Sequence, residues 1–172
     1  MMILITGGAR SGKSRFAQQT ALKLSKNPVY VATAKIWDAD FQKRVERHQS
    51  ERGIEWTAYE AEKDLWKLPL QDQVVVIDCV TLWLTNYFVL FKQDIDLCLK
   101  AFREEINLLK EKQATYLIVT NEIGMGLHPD SEIGRKFADL QGWANQFVAA
   151  EAEEVVLMVA GIPLYVKKPT IP

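Results

Sequence analysis

Cysteine is scarce: Cys79 and Cys98 are the only two in 172 residues. They match neither a disulfide framework nor a zinc-ligand spacing, so buried thiols in a reducing compartment are the simplest reading. No apolar run reaches the roughly 18 residues that a membrane-spanning helix needs. No basic stretch precedes an apolar one near the first residue, as in a secretory leader. A cytoplasmic chain with no membrane span is therefore expected. An excess of one charge is missing too. Lys and Arg number 21 against 22 Asp and Glu, a formal net charge of −1, so no overall basic footprint marks a nucleic-acid partner. Repeats, low-complexity tracts and Pro/Gly/Ser linkers are absent. Residues 1–172 read as a single domain, long enough to bury a real core.

What is present begins almost at the first residue. The apolar run Met2-Ile3-Leu4-Ile5 leads into Gly7-Gly8-Ala9-Arg10-Ser11-Gly12-Lys13-Ser14, which fills every fixed position of G-x-x-x-x-G-K-[ST], the phosphate-binding loop. Glycines let successive backbone N–H groups converge on one anion and let phosphate oxygens approach closely. Lys13 is placed to reach the β/γ phosphates, and the Ser14 hydroxyl to ligate Mg²⁺. So short a motif needs a buried strand before it and a helix after it. Met2–Ile5 is apolar without alternation, as in a strand covered on both faces. Residues 14–25 then place Phe16, Ala17, Thr20, Ala21 and Leu24 on one helical face.

Val29 to Thr33 reads as the second strand, completing a βαβ unit and implying a parallel sheet with a right-handed crossover. Ligands bind beyond the carboxyl ends of such strands, which puts Ala32, Thr33 and Ala34 near the loop. Residues 38–52 read as a charged helix closed by Gly53. Arg44, His48 and Arg52 fall at i, i+4 and i+8 on it. Two guanidiniums one turn away on either side would keep the His48 imidazole neutral, hence a nucleophile or base. The competing reading is a solvated basic helix. Ile54–Glu60 reads as a short strand and Ala61–Leu68 as a short helix. Gln73–Asp78 is an apolar strand ending in an acid, the pattern that brings a carboxylate to the metal opposite a phosphate loop.

Thr81–Phe91 reads as a buried helix. Residues 94–112 form an amphipathic one with Ile95, Leu99, Phe102, Ile106 and Leu109 inward and a solvated polar face. Thr115–Thr120 is another buried strand, ending in Asn121-Glu122-Ile123-Gly124-Met125-Gly126. Such a sequence suits either a second substrate loop or a tight structural turn. His128 has no flanking cations and is a lesser catalytic candidate. Residues 131–151 form the last long helix, Val155–Ala160 a final strand, and Leu164–Val166 a short edge strand after the turn at Gly161.

Taken together, these residues resemble the bifunctional adenosylcobinamide kinase/adenosylcobinamide-phosphate guanylyltransferases of cobalamin biosynthesis. The resemblance rests on residues 5–14, Ala32-Thr33-Ala34, Arg44-Val45-Glu46-Arg47-His48, Asp78-Cys79-Val80-Thr81, residues 120–126, Asn145-Gln146 and Val159-Ala160-Gly161-Ile162-Pro163. It runs over nearly the whole chain. It implies an α/β fold, a RecA-like P-loop NTPase with a mostly parallel sheet flanked by helices, and a homotrimer. It implies phosphorylation of adenosylcobinamide with ATP or GTP, then GMP transfer from GTP to adenosylcobinamide phosphate through a guanylyl-histidine at His48. Gln49, Ser50, Glu51, Arg52, Glu60 and Asp78 match the family's guanine-nucleotide contacts. Asp78 and Ser14 are the expected Mg²⁺ ligands. Many members carry a histidine where this chain has Arg47, which leaves open the group that assists proton movement. Two other classes compete: a phosphate-loop kinase acting on another small molecule without guanylyl transfer, and a GTP-binding regulatory module. The second lacks its usual N-K-x-D motif here.

Overall fold

The computed structural model describes residues 1–35 and 53–168. Among these, seven strands form one sheet in the order β3-β2-β4-β5-β1-β6-β7. The strands are β1 (Met2–Thr6), β2 (Val29–Ala32), β3 (Thr57–Glu60), β4 (Val74–Asp78), β5 (Thr115–Val119), β6 (Glu154–Val159) and β7 (Ile162–Lys167). All neighbours pair in parallel except β6 and β7, which form an antiparallel edge.

The apolar strands read without alternation because both of their faces are covered. Met2, Leu4, Val29, Val31, Val75 and Ile77 face one core with helices α2 (Val80–Leu90), α3 (Ile95–Lys110) and α4 (Glu132–Glu151). Ile3, Ile5, Tyr30, Val76, Leu117 and Val119 face a second core, against α1 (Lys13–Leu24). Cys79 and Cys98 are both buried free thiols, as their spacing suggests. Asp94 caps α3 by accepting from the Leu97 N–H at 3.0 Å, and Ser131 caps α4 by accepting from Gly134 at 3.0 Å. No helix among the described residues is long and apolar enough to cross a membrane.

Four sequence expectations differ from the structure. The strand expected over Ile54–Glu60 begins only at Thr57, after a turn at Ile54 and Glu55. The buried stripe of α1 runs through Lys13, Ala17 and Ala21, at i, i+4 and i+8, while Leu24 is 50% exposed. Small residues bring the helix close to the sheet, and the same stripe carries Lys13 inward. Ala61–Leu68 forms only a 3₁₀ turn, Leu65–Lys67, after Asp64 at φ 58°. Its backbone groups are taken by side chains from elsewhere: Leu65 N–H donates to Glu105, and Glu62 O accepts from Asn86 Nδ2 at 2.9 Å. The polar flank of α3 is not wholly solvated, because Glu105 is buried, 3% exposed. Its carboxylate also accepts from Trp83 Nε1 at 3.0 Å and from the Tyr87 hydroxyl, so one acid joins α3, α2 and the 3₁₀ turn. Burial pushes the Glu105 carboxyl above its ordinary range, and the three donors pull it back only partly.

Glu105→Ala strands up to three buried donors, so the expected loss is about 3 kcal/mol, seen as a melting temperature lower by roughly 10 °C. An unchanged melt would contradict the buried junction. The pH sign follows from the raised folded-state pKa. The acid favours folding most below its unfolded value, and that contribution disappears as pH rises through the folded value. The stability of the wild type relative to Glu105→Gln should therefore fall as pH climbs above the ordinary carboxylate range, measured by thermal melts across pH.

Candidate active site at the carboxyl edge of the sheet

Register alone lines up the site. Glu60 pairs with Ala32, Ala32 with Asp78, Asp78 with Val119, and Val119 with Ile5, a single row across β3, β2, β4, β5 and β1. One residue beyond that row, each strand releases a loop into the same space, the edge where parallel sheets bind ligands. β5 lies between the strand that carries the phosphate-binding loop and the strand that ends in Asp78.

Backbone geometry explains the loop's glycines. Gly7 sits at φ +147°, and a Cβ there would lie 2.6 Å from Met158 O and 2.8 Å from Ser11 Oγ. Gly12 sits at φ +96°, and a Cβ there would meet Gly161 Cα at 3.3 Å. Arg10 holds a left-handed φ of 57° without being glycine, a strained conformation of the sort found in ligand-gripping loops. The turn between β6 and β7 clamps the loop from outside, with Gly161 N–H donating to Ser11 O at 3.0 Å. Nothing lies within 4 Å of a Cβ at Gly8, which leaves that side of the loop open. Gly12 precedes helix α1 as its N-cap and offers no side-chain cap, so the first-turn N–H groups and dipole stay available to an anion.

Lys13 is 7% exposed, and its ammonium donates to Gly8 O at 2.5 Å and to Ser11 Oγ at 3.5 Å. Burial lowers its pKa, against the opposing pull of the Asp78 charge. A triphosphate brought to the loop would favour the charged form and oppose that shift. Cys79 itself is pushed up to about 12, by burial first and the Asp78 charge second. It stays a thiol and is no nucleophile.

Asp78 is held from two directions. The Tyr30 hydroxyl donates to Asp78 Oδ2 at 2.8 Å. Thr33, fully buried, grips the residue that follows: its hydroxyl donates to Cys79 O at 2.7 Å and accepts from Cys79 N–H at 2.8 Å. Thr33 N–H donates to Asp78 O at 3.1 Å, and Thr33 O accepts from Asn86 Nδ2 at 2.8 Å. The Thr33 hydroxyl is thus committed to Cys79, and Thr33 acts on the site by joining β2 to the end of β4. Ser14 and Asp78 offer hard oxygen donors only, and no group of three or more His, Cys, Asp or Glu gathers as a metal cage among the described residues. That sparse oxygen set suits Mg²⁺, which keeps phosphate and water oxygens in its shell.

The structure therefore brings together Gly7 to Ser14, Ala32, Thr33, Ala34, Glu60 and Asp78 along one edge. Glu60 is exposed there. His48, Gln49, Ser50, Glu51 and Arg52, with the helix expected over 38–52, lie outside the described residues. His128 is exposed on the loop after β5. Sequence reasoning missed Tyr30, Asn86 and Gln141, and reached Asn145 only through the family resemblance. Tyr30 left a trace, a phenol in an otherwise aliphatic strand.

Thr33→Val keeps the shape but strands the Cys79 N–H, so a loss of about 2 kcal/mol and roughly 5 °C in melting temperature is expected. Thr33→Ser should restore most of it. Equal melts for Thr33→Val and wild type would contradict the clamp.

Comparison with known proteins adds kinship to this geometry. Two solved structures share the architecture. Flagellar accessory protein FlaH from Methanocaldococcus jannaschii has a TM-score of 0.52 at 13% identity, over 98% of this chain and 78% of that one. A second, an isolated ATPase domain, has a TM-score of 0.52 at 11% identity, over 99% of this chain and 78% of that one. At such identities the likeness shows the fold alone, a RecA-like P-loop fold. Sequence relatives are nearer. The bifunctional adenosylcobalamin biosynthesis protein CobU of Escherichia coli is 38% identical over 97% of this chain and 100% of that protein. CobP of Pseudomonas aeruginosa, described in the same words, is 34% identical over 97% and 98%. A family model described as cobinamide kinase / cobinamide phosphate guanyltransferase matches residues 3–166. With nearly its whole length matched, the chain belongs to the cobinamide kinase / cobinamide phosphate guanyltransferase family of transferases.

Proposed function

We propose that this transferase carries out both reactions of its family at one nucleotide site. It phosphorylates the alcohol of adenosylcobinamide from ATP or GTP, then moves GMP from GTP onto adenosylcobinamide phosphate, releasing pyrophosphate. The observation that supports this most is the convergence of the phosphate loop, buried Lys13 and braced Asp78 on one sheet edge. Phosphoryl transfer asks the protein chiefly for positioning and charge stabilisation. Lys13 and the loop amides supply it for the β and γ phosphates. Ser14 and Asp78 would hold Mg²⁺, which adds charge neutralisation when bound. Gly7 to Ser14, Ala32, Thr33, Ala34, Gln49, Ser50, Glu51, Arg52, Glu60 and Asp78 are the nucleotide-binding residues of this reading.

For guanylyl transfer, His48 attacks the α-phosphorus of GTP and pyrophosphate leaves. The acceptor phosphate then displaces GMP from the imidazole, a two-step covalent route. Arg44 and Arg52, four residues before and after His48 in the sequence, are the groups that would keep His48 neutral. The reading includes a cytoplasmic location, where nucleoside triphosphates are plentiful, and a homotrimer. Supporting the latter, Ile162, Leu164 and Val166 form an exposed apolar face on edge strand β7. Sedimentation at three protomer masses rather than at 19.6 kDa is the expected result, and a monomer would reject it.

Mass spectrometry of products formed from adenosylcobinamide, Mg²⁺ and GTP tests the function. Adenosylcobinamide-GDP is expected, and the absence of both phosphorylated and guanylylated products would reject the proposal. Protein incubated with α-labelled GTP should carry acid-labile label. His48→Ala should lose that label and guanylyl transfer while still phosphorylating, and a labelled mutant would overturn the assignment. Lys13→Ala should slow both reactions by about 100-fold or more, and full turnover in either would contradict a shared site.

A further inference from the structure

The segment that leaves β5 is tied to both halves of the site. Thr120 N–H donates to Ile5 O at 2.9 Å, and Glu122 N–H donates to Gly7 O, the first glycine of the phosphate loop, at 3.0 Å. On the other side, Asn121 N–H and Nδ2 both donate to Thr81 Oγ1, at 3.3 and 3.0 Å, just past Asp78 and Cys79. From below, α4 secures the same residues. Asn145 Nδ2 donates to Asn121 O at 3.1 Å, Thr120 Oγ1 donates to Asn145 Oδ1 at 2.7 Å, and Gln141 Nε2, on a buried residue, donates to Thr120 Oγ1 at 3.0 Å. A loop serving only as a turn needs none of this bracing to the strand ends on either side of it.

The bracing holds Glu122, which is half-buried beside the loop that cradles phosphates. One carboxylate oxygen, Oε1, accepts from Gly124 N–H at 2.9 Å. The other takes no hydrogen bond from the described residues. An oriented carboxylate with a free oxygen at the phosphate end of a nucleotide site is what transfer to an alcohol requires, since the hydroxyl proton must go to a positioned acceptor.

We propose that Glu122 is the catalytic base of the phosphorylation step. The alcohol O–H of the acceptor gives its proton to Glu122 Oε2 as the oxygen bonds to the γ-phosphorus. The bond from that phosphorus to the β–γ bridging oxygen breaks, the nucleoside diphosphate leaves, and Glu122 later returns the proton to water. Guanylyl transfer has no such need, because its acceptor is a phosphate that is already an anion. This inference rests on the two-reaction function proposed above, and the two reactions supply its control.

The experiment compares Glu122→Gln with wild type in two assays, each with Mg²⁺. One measures phosphorylation of adenosylcobinamide. The other supplies adenosylcobinamide phosphate ready-made and measures GMP transfer from GTP. Gln keeps an acceptor for Gly124 N–H but is no base. Phosphorylation should fall by about 100-fold or more in kcat, while GMP transfer changes by less than about threefold. Thermal melts of the two proteins should coincide. Undiminished phosphorylation, or an equal fall in both reactions, would overturn the assignment; the equal fall would mark Glu122 as a structural brace of the loop. A wild type inactive in both assays would instead reject the function on which the inference rests, and the inference with it.

Discussion

A lysine ammonium drawn out of water beneath a glycine loop is the constraint on which this site turns. Burial lowers the pKa of such a group, and does so at Lys13 even though the Asp78 charge works against the shift. The surrounding structure keeps it there. Ala17 and Ala21 bring α1 close enough to the sheet for Lys13 to be carried inward, and Gly7 and Gly12 adopt backbone angles that a side chain would obstruct. A polyanion is the natural partner of this arrangement, because it satisfies the ammonium, the loop amides and the helix terminus together.

The remaining strand ends supply the geometry around that anion. Thr33 grips the Cys79 backbone while Tyr30 orients the Asp78 carboxylate, so β2 and β4 end as one unit. The segment after β5 then spans from Gly7 on one side to Thr81 on the other. Loops that carry chemistry gain precision when rigid elements hold them, and here α4 does so through Asn145 and Gln141. Glu105 plays a comparable part away from the site, joining three elements through one buried carboxylate.

The phosphate loop was legible in the sequence because its residues are dictated by backbone geometry and charge, both local. The strands were legible because a strand buried on both faces has no room for polar residues, as Val75, Val76 and Ile77 illustrate. What escaped was tertiary. Glu105 reads as one more solvated acid on an amphipathic helix until the Trp83 indole and the Tyr87 phenol are placed above it. The Ala61–Leu68 pattern suits a helix, but Glu105 takes the Leu65 N–H and Asn86 the Glu62 carbonyl, which leaves the segment's own bonds to a single 3₁₀ turn. Asn145 entered through a family likeness, and only the structure supplied its physical role, a hydrogen bond to Asn121 O. His48 owes its place to the arginine row and that likeness, and it lies outside the described residues.

The most direct measurement is the titration of Lys13 itself, followed by NMR of an isotope-labelled ε-carbon with and without a non-hydrolysable GTP analogue and Mg²⁺. The expected result is a pKa below the ordinary lysine value in the protein alone, moving up when the analogue binds, because the phosphates stabilise the charged form. A Lys13 signal that titrates like a solvent-exposed lysine, and does not respond to the analogue, would contradict it.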